Sequence, residues 1–368
     1  MGVKLRVEEK ILIWLDKFEF LTYKKRVKIF DALFDENFFE NFISNFDKIK
    51  DIVSYSQFAQ MQIDIKNNNI DDYINSLLKK GIKLITLKSE NYPKSLVDMG
   101  EENNPPLVLY CKGDTGLMDI ENNINIAMVG TRKPTNYGKQ ITEKFARELS
   151  ENRFNIVSGL ADGVDTISHR ACLDAGGKTI AVVAGGLDKI YPVLNTKLSE
   201  EIAKTGLLIT EKPPYYCAQS YDFPMRNRII AALSNGVLIT EASLKSGTMY
   251  TKEYALEFGK ELFVVPGNIT SGQSEGCNSL IKSMQGTITL DVNDILEVFN
   301  KPKYKIKPKT VQLSLEEALL FDILKDGEQT FDEILVKTNF DVQTLTKLLT
   351  MLSFRGIIKK LAGNIYSL

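Results

Sequence analysis

Six short apolar runs separated by helical stretches occupy the middle of this 368-residue chain, and they constrain its fold more than any other feature. The runs are Ile126–Val129, Ile156–Val157, Ile180–Ala184, Leu207–Thr210, Val237–Thr240 and Leu262–Val265. Each is rich in β-branched residues and nearly continuous in apolar character, as expected of strands covered on both faces of a parallel sheet. Between the first two runs, Ile141, Phe145 and Leu149 recur four residues apart, the spacing of one helical face. After the second, Val164–Ala175 reads as a helix closed by Gly176–Gly177. Strand and helix alternating this often predict a doubly wound α/β domain.

The flanks have a different texture. Residues 1–75 are rich in Lys, Asp, Asn and Phe, and Ile11, Leu15 and Phe18, then Val27, Phe30 and Leu33, recur at helical spacing, which predicts a small helical domain. Short strands broken by turn residues begin at Gly81, so the α/β domain is assigned 80–300. Residues 301–312 alternate Lys with Pro, Tyr and Ile, a spacer composition that can also touch phosphates. Within 313–368, helices are predicted over Leu315–Leu324, Phe331–Thr338 and Val342–Leu352, followed by a strand pair turning at Gly363–Asn364. Three helices and a hairpin form a winged-helix domain, with Leu345–Leu352 as its recognition helix.

Composition narrows the function. Forty-six Lys and Arg against 47 Asp and Glu leave a formal charge of −1, so any anion site is a local patch. A single histidine, His169, and four scattered cysteines give no metal cluster and no disulfide framework. Ile11–Leu15 is too short for an export or membrane segment, which places the protein in the cytoplasm.

In an open parallel sheet, ligands gather beyond the carboxyl ends of the strands. The loops there are Gly130–Gly138, Ser158–Asp165, Gly185–Asp188 and Glu241–Thr248. They are rich in small and hydroxylated residues, and together they read as an anion-binding rim. No phosphate-binding P-loop and no dinucleotide fingerprint is present, and no cofactor is implied. Arg132 follows the first strand, and Arg226 and Arg228 open a helix after Phe223–Pro224. These arginines either grip phosphates or are ordinary solvated charges; the residues alone leave both open. Phe223 or the Tyr215, Tyr216 and Tyr221 group offers faces on which an unpaired base can stack. His169 reads as a hydrogen-bonded helix residue steadying the Asp162–Asp165 loop. The recognition helix carries only Lys347 as a cation, which favours a protein contact over duplex binding.

The stretches MVGTRKPTNYG, SGLADGVDTISHRACL, AVVAGGLDKIYPVLN, DFPMRNRIIAALS, TEASLKSGT, VVPGNI and GCNSLI follow one another over Met128–Ile281. In this order they closely resemble the bacterial DNA-processing protein A (DprA/Smf) family. The resemblance implies an extended Rossmann-like parallel sheet of α/β class, with an N-terminal helical (SAM-like) domain and a C-terminal winged-helix domain. It implies a non-enzymatic, homodimeric single-stranded DNA-binding protein that protects incoming DNA in natural transformation and loads RecA recombinase on it.

Carried over by motif, the resemblance assigns DNA contacts to Gly130, Thr131, Arg132, Ser158, Gly159, Phe223, Arg226, Asn227, Arg228, Ser246, Gly247 and Thr248. It assigns the dimer interface to Cys277, Asn278, Leu280 and Ile281. Two departures stand out: the N-terminal helices have no G-x-G hairpin, and the chain is not basic. The stretch ITEASLKSGTMYTKE is also similar to the P-G-G-x-G-T-x-x-E loop of lysine-decarboxylase-like nucleotide hydrolases, but lacks the P-G-G and has Thr251 at the position of the catalytic Glu. A pure interaction scaffold built on the winged helix is a third class.

Overall fold

The computed structural model describes residues 5–304, 313–361 and 363–367, which fold as two compact units divided between residues 304 and 305. The first unit is built on a nine-stranded sheet: β1 (Lys83–Thr86), β2 (Val108–Gly113), β3 (Asn125–Val129), β4 (Asn155–Ser158), β5 (Thr179–Val182), β6 (Leu207–Thr210), β7 (Gly236–Ile239), β8 (Glu261–Val264) and β9 (Thr287–Ile288). Across the sheet the order is β1-β2-β6-β5-β4-β3-β7-β8-β9. From β6 to β9 all neighbours are parallel, while β1 and β2 join antiparallel at one edge. Strand order reverses between β3 and β7, which is the topological switch point of a doubly wound sheet.

Five of the six apolar runs begin one residue late in the sequence reading, because the first residue of each strand is polar or glycine. Asn125 and Asn155 open β3 and β4 side by side, Asn155 Nδ2 donating to Asn125 Oδ1 at 2.9 Å. Counting apolar residues misses such buried polar starts. Every residue of β3 to β7 is buried, which matches the near-continuous apolar runs.

Four helices longer than one turn precede the sheet: α1 (Val7–Asp16), α2 (Tyr23–Leu33), α3 (Tyr55–Asn67) and α4 (Ile70–Lys79). Their apolar faces join the sheet in one core, where Ile11, Trp14, Phe38 and Phe58 cluster with Tyr110, Ala181, Val183 and Leu208. A polar tie crosses that core: Tyr110 Oη donates to Asp16 Oδ2 at 2.9 Å, and Arg26 Nη1 bonds Asp16 Oδ1 at 2.6 Å.

The crossover helices are α5 (Asn136–Glu151), α6 (Val164–Asp174), α7 (Thr196–Thr205), α8 (Asp222–Ala232) and α9 (Thr248–Glu257), followed by α10 (Glu275–Lys282) and α11 (Val292–Val298). Thr135 caps α5 by accepting from Gly138 N at 3.1 Å, and Gly176 ends α6 at φ +72°, where a side chain would be strained. Tyr304 still belongs to this unit: its Oη donates to Glu151 at 2.5 Å and its N to Asn293 Oδ1 at 2.7 Å. Of the spacer expected over 301–312, residues 305–312 lie outside the described residues.

The second unit contains α12 (Leu315–Lys325), β10 (Gln329–Thr330), α13 (Phe331–Thr338), α14 (Val342–Phe354), β11 (Lys359–Leu361) and β12 (Ile365–Ser367). Three helices thus meet a small antiparallel sheet ordered β10-β12-β11 around Leu320, Leu345, Leu349 and Tyr366. Gly363 and Asn364 turn the hairpin with φ of +83° and +57°.

Candidate nucleic-acid interface

A pocket of about 800 Å³ opens beyond the carboxyl ends of β3, β4, β5, β6 and β7. The loops after these strands approach closely because glycines leave room. A Cβ on Gly130 would sit 2.6 Å from Val164 Cγ2 and 2.8 Å from the Glu241 carbonyl oxygen. A Cβ on Gly159 would sit 2.5 Å from the Arg226 guanidinium. Either side chain would push a wall of the pocket outward.

One wall is aromatic and cationic. Exposed Arg132 holds its guanidinium 5.3 Å from the centre of the Phe223 ring, and the Tyr191 ring meets Phe223 edge to face at 5.6 Å. Tyr191 is 57% exposed, so its ring is open to a ligand. Lys189 and Tyr250 also line the pocket, as do Ser246, Gly247 and Thr248 at the start of α9.

The floor is Arg226. It is only 5% exposed, and its Nη1 donates to the carbonyls of Gly159 (2.7 Å) and Val182. Burial pulls its pKa down to about 10, with Asp165 opposing that drop and Arg132 adding to it, so Arg226 remains charged at neutral pH. Asp165 is itself pushed up by burial and held back by Arg226, while its Oδ2 accepts from the amides of Gly159 (3.0 Å) and Ala161 (3.3 Å). Two guanidiniums that repel each other in a pocket lined by the single carboxylate of Asp165 leave a demand for an anion.

The structure sorts the residues assigned from the resemblance. Gly130, Arg132, Phe223, Arg226, Asn227, Ser246, Gly247 and Thr248 converge on the pocket. Thr131 does not: its amide donates to Glu241 O at 2.8 Å and its carbonyl accepts from Val164 N, so the turn's polar groups are engaged inside the protein. Ser158 is fully buried with Oγ on Met128 O at 2.7 Å, and Gly159 lies beneath Arg226. Arg228 is corrected most: it is 3% exposed, it is not on the pocket, and it binds Glu211 and the carbonyls of Asn103 and Asn104. It therefore holds chain segments together instead of facing a ligand.

The residues assigned to a dimer interface by the resemblance also turn inward. Cys277 and Leu280 are buried against the sheet, and the Asn278 side chain pairs with both the amide and the carbonyl of Gly267 at 3.1 Å. Only Ile281 borders an open groove, together with Leu256, Met284 and Ile288 on the β9 edge. The outward residues escape a motif match because they lie just past GCNSLI.

Lys189, Tyr191, Cys217, Ala218 and Ser220 line the pocket without having been singled out as contacts. The same strand-end rule applied beyond Asp188, and to the loop after Leu207–Thr210, finds all five. In the second unit, Arg355 donates to Glu317 Oε1 at 2.8 Å and Lys360 lies over Tyr366 at 5.8 Å, so both cations have protein partners there.

The sequence profile of the family DNA recombination-mediator protein A matches residues 83–300. The DNA processing protein DprA of Bacillus subtilis is 43% identical over 207 residues, 55% of this chain and 67% of that protein. The crystal structure of DprA from Streptococcus pneumoniae superposes with a TM-score of 0.65 at 31% identity, covering 80% of this chain and 98% of that one. DprA from Helicobacter pylori, solved for its single-stranded DNA binding mode, gives 0.53 at 37% identity over 59% of this chain and 96% of that one.

Proposed function

Because this chain belongs to the DNA recombination-mediator protein A family, we propose that it binds single-stranded DNA in the switch-point pocket. The observation that carries this reading is the wall where Arg132 stands over Phe223 beside Tyr191, above the buried charge of Arg226. An unpaired base has an aromatic face to stack on, and its phosphate has two guanidiniums to neutralise. No base edge is read by such contacts, so binding is sequence-tolerant. The Helicobacter pylori relative, described by its single-stranded DNA binding mode, supports the same ligand class.

The wider role is processing of incoming single strands in natural transformation, with delivery to a RecA-type recombinase, inside the cytoplasm. We assign no catalysis. Thr251 is buried where the hydrolases place a Glu, and Asp165, the pocket carboxylate, is already bonded to two amides and opposed by Arg226. Among the described residues, no helix is long and apolar enough to cross a membrane. Self-association is assigned to the β9 edge, where a strand paired only with β8 lies beside exposed Met284, Ile288 and Leu290. Met284→Asp with Ile288→Asp should convert a dimer to a monomer by sedimentation.

The test of the main reading is fluorescence anisotropy with single-stranded and duplex DNA of equal length across a salt series. Tighter binding of the single strand, weakening steeply with salt, is expected. Equal or tighter duplex binding would overturn it.

A further inference from the structure

Two loops form the outer wall of the pocket. The loop after β5 supplies Lys189, Ile190 and Tyr191, and the loop after β6 supplies Cys217, Ala218 and Ser220. They are zipped together by backbone bonds of 2.9 Å, Gly186 N to Tyr216 O and Asp188 N to Pro214 O. Gly186 permits this approach, since a Cβ there would lie 2.2 Å from the carbonyl oxygens of Pro213 and Pro214. The inner end of the second loop is tied to α8. Asp222 accepts from Tyr216 Oη (2.9 Å), Gln219 N (2.8 Å) and Lys212 Nζ (2.8 Å).

The outer end is tied from elsewhere. Lys80, the C-cap of α4, reaches over from the N-terminal helices. Its Nζ donates to Asp188 Oδ2 at 2.9 Å and to Tyr215 Oη, and lies 4.3 Å from the centre of the Tyr215 ring. One ammonium thus bridges both wall loops, 108 and 135 residues away in sequence. Lys80 does not itself line the pocket. Its proton is secure, because the bonds to Tyr215 and Asp188 raise its pKa to about 12.

We propose that Lys80 is a positioning residue for single-strand binding: it latches the two wall loops to the N-terminal helices and so presets the surface that carries Tyr191. This rests on the pocket reading above. A strand that meets a preset wall loses less conformational freedom on binding than one that must order the wall itself. The helices are thereby given a part in DNA binding without touching the strand.

The experiment compares the full-length parent with Lys80→Ala, Lys80→Arg, Asp188→Asn and Tyr215→Phe. It measures oligothymidylate affinity across salt and hydrogen exchange of residues 212–221. Lys80→Ala should bind roughly threefold to tenfold more weakly with an unchanged salt slope, and exchange in 212–221 should quicken. Asp188→Asn added to Lys80→Ala should cost little more, as expected of partners in one network. Lys80→Arg should recover most of the affinity. Parental affinity together with parental exchange in Lys80→Ala would overturn the proposal. So would a salt slope lowered by about one, which would make Lys80 a direct phosphate contact. An Arg132→Ala control that binds like the parent would instead remove the pocket reading, while the exchange result would still judge the latch.

Discussion

Arg228 and Glu211 form a two-pronged ion pair, Nη1 to Oε1 at 2.7 Å and Nη2 to Oε2 at 2.6 Å. Burial opposes both charges, but the pairing wins: Glu211 is held below its ordinary range and Arg228 above its own. The remaining donors reach Asn103, Asn104 and Met225 carbonyls, so the guanidinium joins α8 to the segment before β2 and to the end of β6. Arg228→Ala would leave the Glu211 carboxylate and the carbonyls of Asn103, Asn104 and Met225 without this partner. Stability should fall by about 3–5 kcal/mol in denaturant unfolding, the usual result of breaking a buried pair. The folded fraction should keep its DNA affinity, because Arg228 is off the pocket. A loss of affinity with unchanged stability would refute this assignment.

Arg132 and Phe223 should show the opposite pattern. Arg132 is exposed and its neighbour in the wall is a ring, not a carboxylate. Arg132→Ala should therefore leave the unfolding midpoint within about 0.5 kcal/mol of the parent. It should weaken single-strand binding by roughly 1–3 kcal/mol and lower the salt slope by about one. Phe223→Ala should weaken binding by a similar amount, about 1–3 kcal/mol per stacked base, without changing that slope. The contrast between the slopes separates the charge from the stack.

The difference between Arg226 and Arg228 also marks where sequence legibility ends. The strand positions, the crossover helices and the rim of loops follow from periodicity and from the strand-end rule; Phe331–Thr338 falls where the spacing puts it, and Val164–Asp174 ends one residue before the expected Ala175. Two arginines separated by one residue look equivalent in a string. On a helix that separation turns them about 200° apart, one under the pocket and one toward Glu211. Which direction meets the ligand depends on Glu211 and Asn103, residues far away in the chain that carry no motif. The inward turn of Cys277 and Leu280 has the same origin, since a buried helix face and an interface face share an apolar composition. Lys80 was invisible for a related reason: a lysine at a helix end is an ordinary C-cap until the fold brings Asp188 and Tyr215 to it.

His169 should set the acid limb of stability. Its Nδ1 lies 2.7 Å from Thr179 Oγ1, which itself donates to Ile156 O, so Nδ1 carries the proton and Nε2 is a buried acceptor without a partner among the described residues. Burial, and secondarily Arg226, lowers its pKa from 6.5 to about 3. The unfolded chain takes up a proton near 6.5 and the folded chain does not until about 3. The stabilisation is therefore complete above 6.5 and is lost as pH falls below it. Between about pH 7 and 5.5 the parent should lose about 1.3 kcal/mol in urea unfolding. His169 is the only histidine in the chain, so His169→Gln should be less stable at neutral pH yet nearly flat over that window. An equal decline in the variant would assign the loss to carboxylates.

Removing the second unit should leave DNA binding almost intact, provided the cut follows Tyr304. The first unit ends at Tyr304, which bonds Glu151 and Asn293 and packs beside Phe154 and Phe299. A chain ending there keeps the sheet, the pocket and the latch. One ending at Lys301 loses the Tyr304 contacts and should melt lower, with the pocket unchanged. The second unit offers few cations for phosphate: α14 carries Lys347 beside apolar Val342 and Met351, and Arg355 is engaged by Glu317. The dissociation constant for oligothymidylate at fixed salt should therefore differ by less than about tenfold between residues 1–304 and the full chain, that is by less than about 1.4 kcal/mol. A larger loss would place DNA contacts beyond Tyr304. The full-length protein with Lys305, Lys307 and Lys309 changed to Gln then decides their source. If it loses affinity as the truncation does, the lysine run carries those contacts, and if it binds like the parent, the three-helix unit carries them.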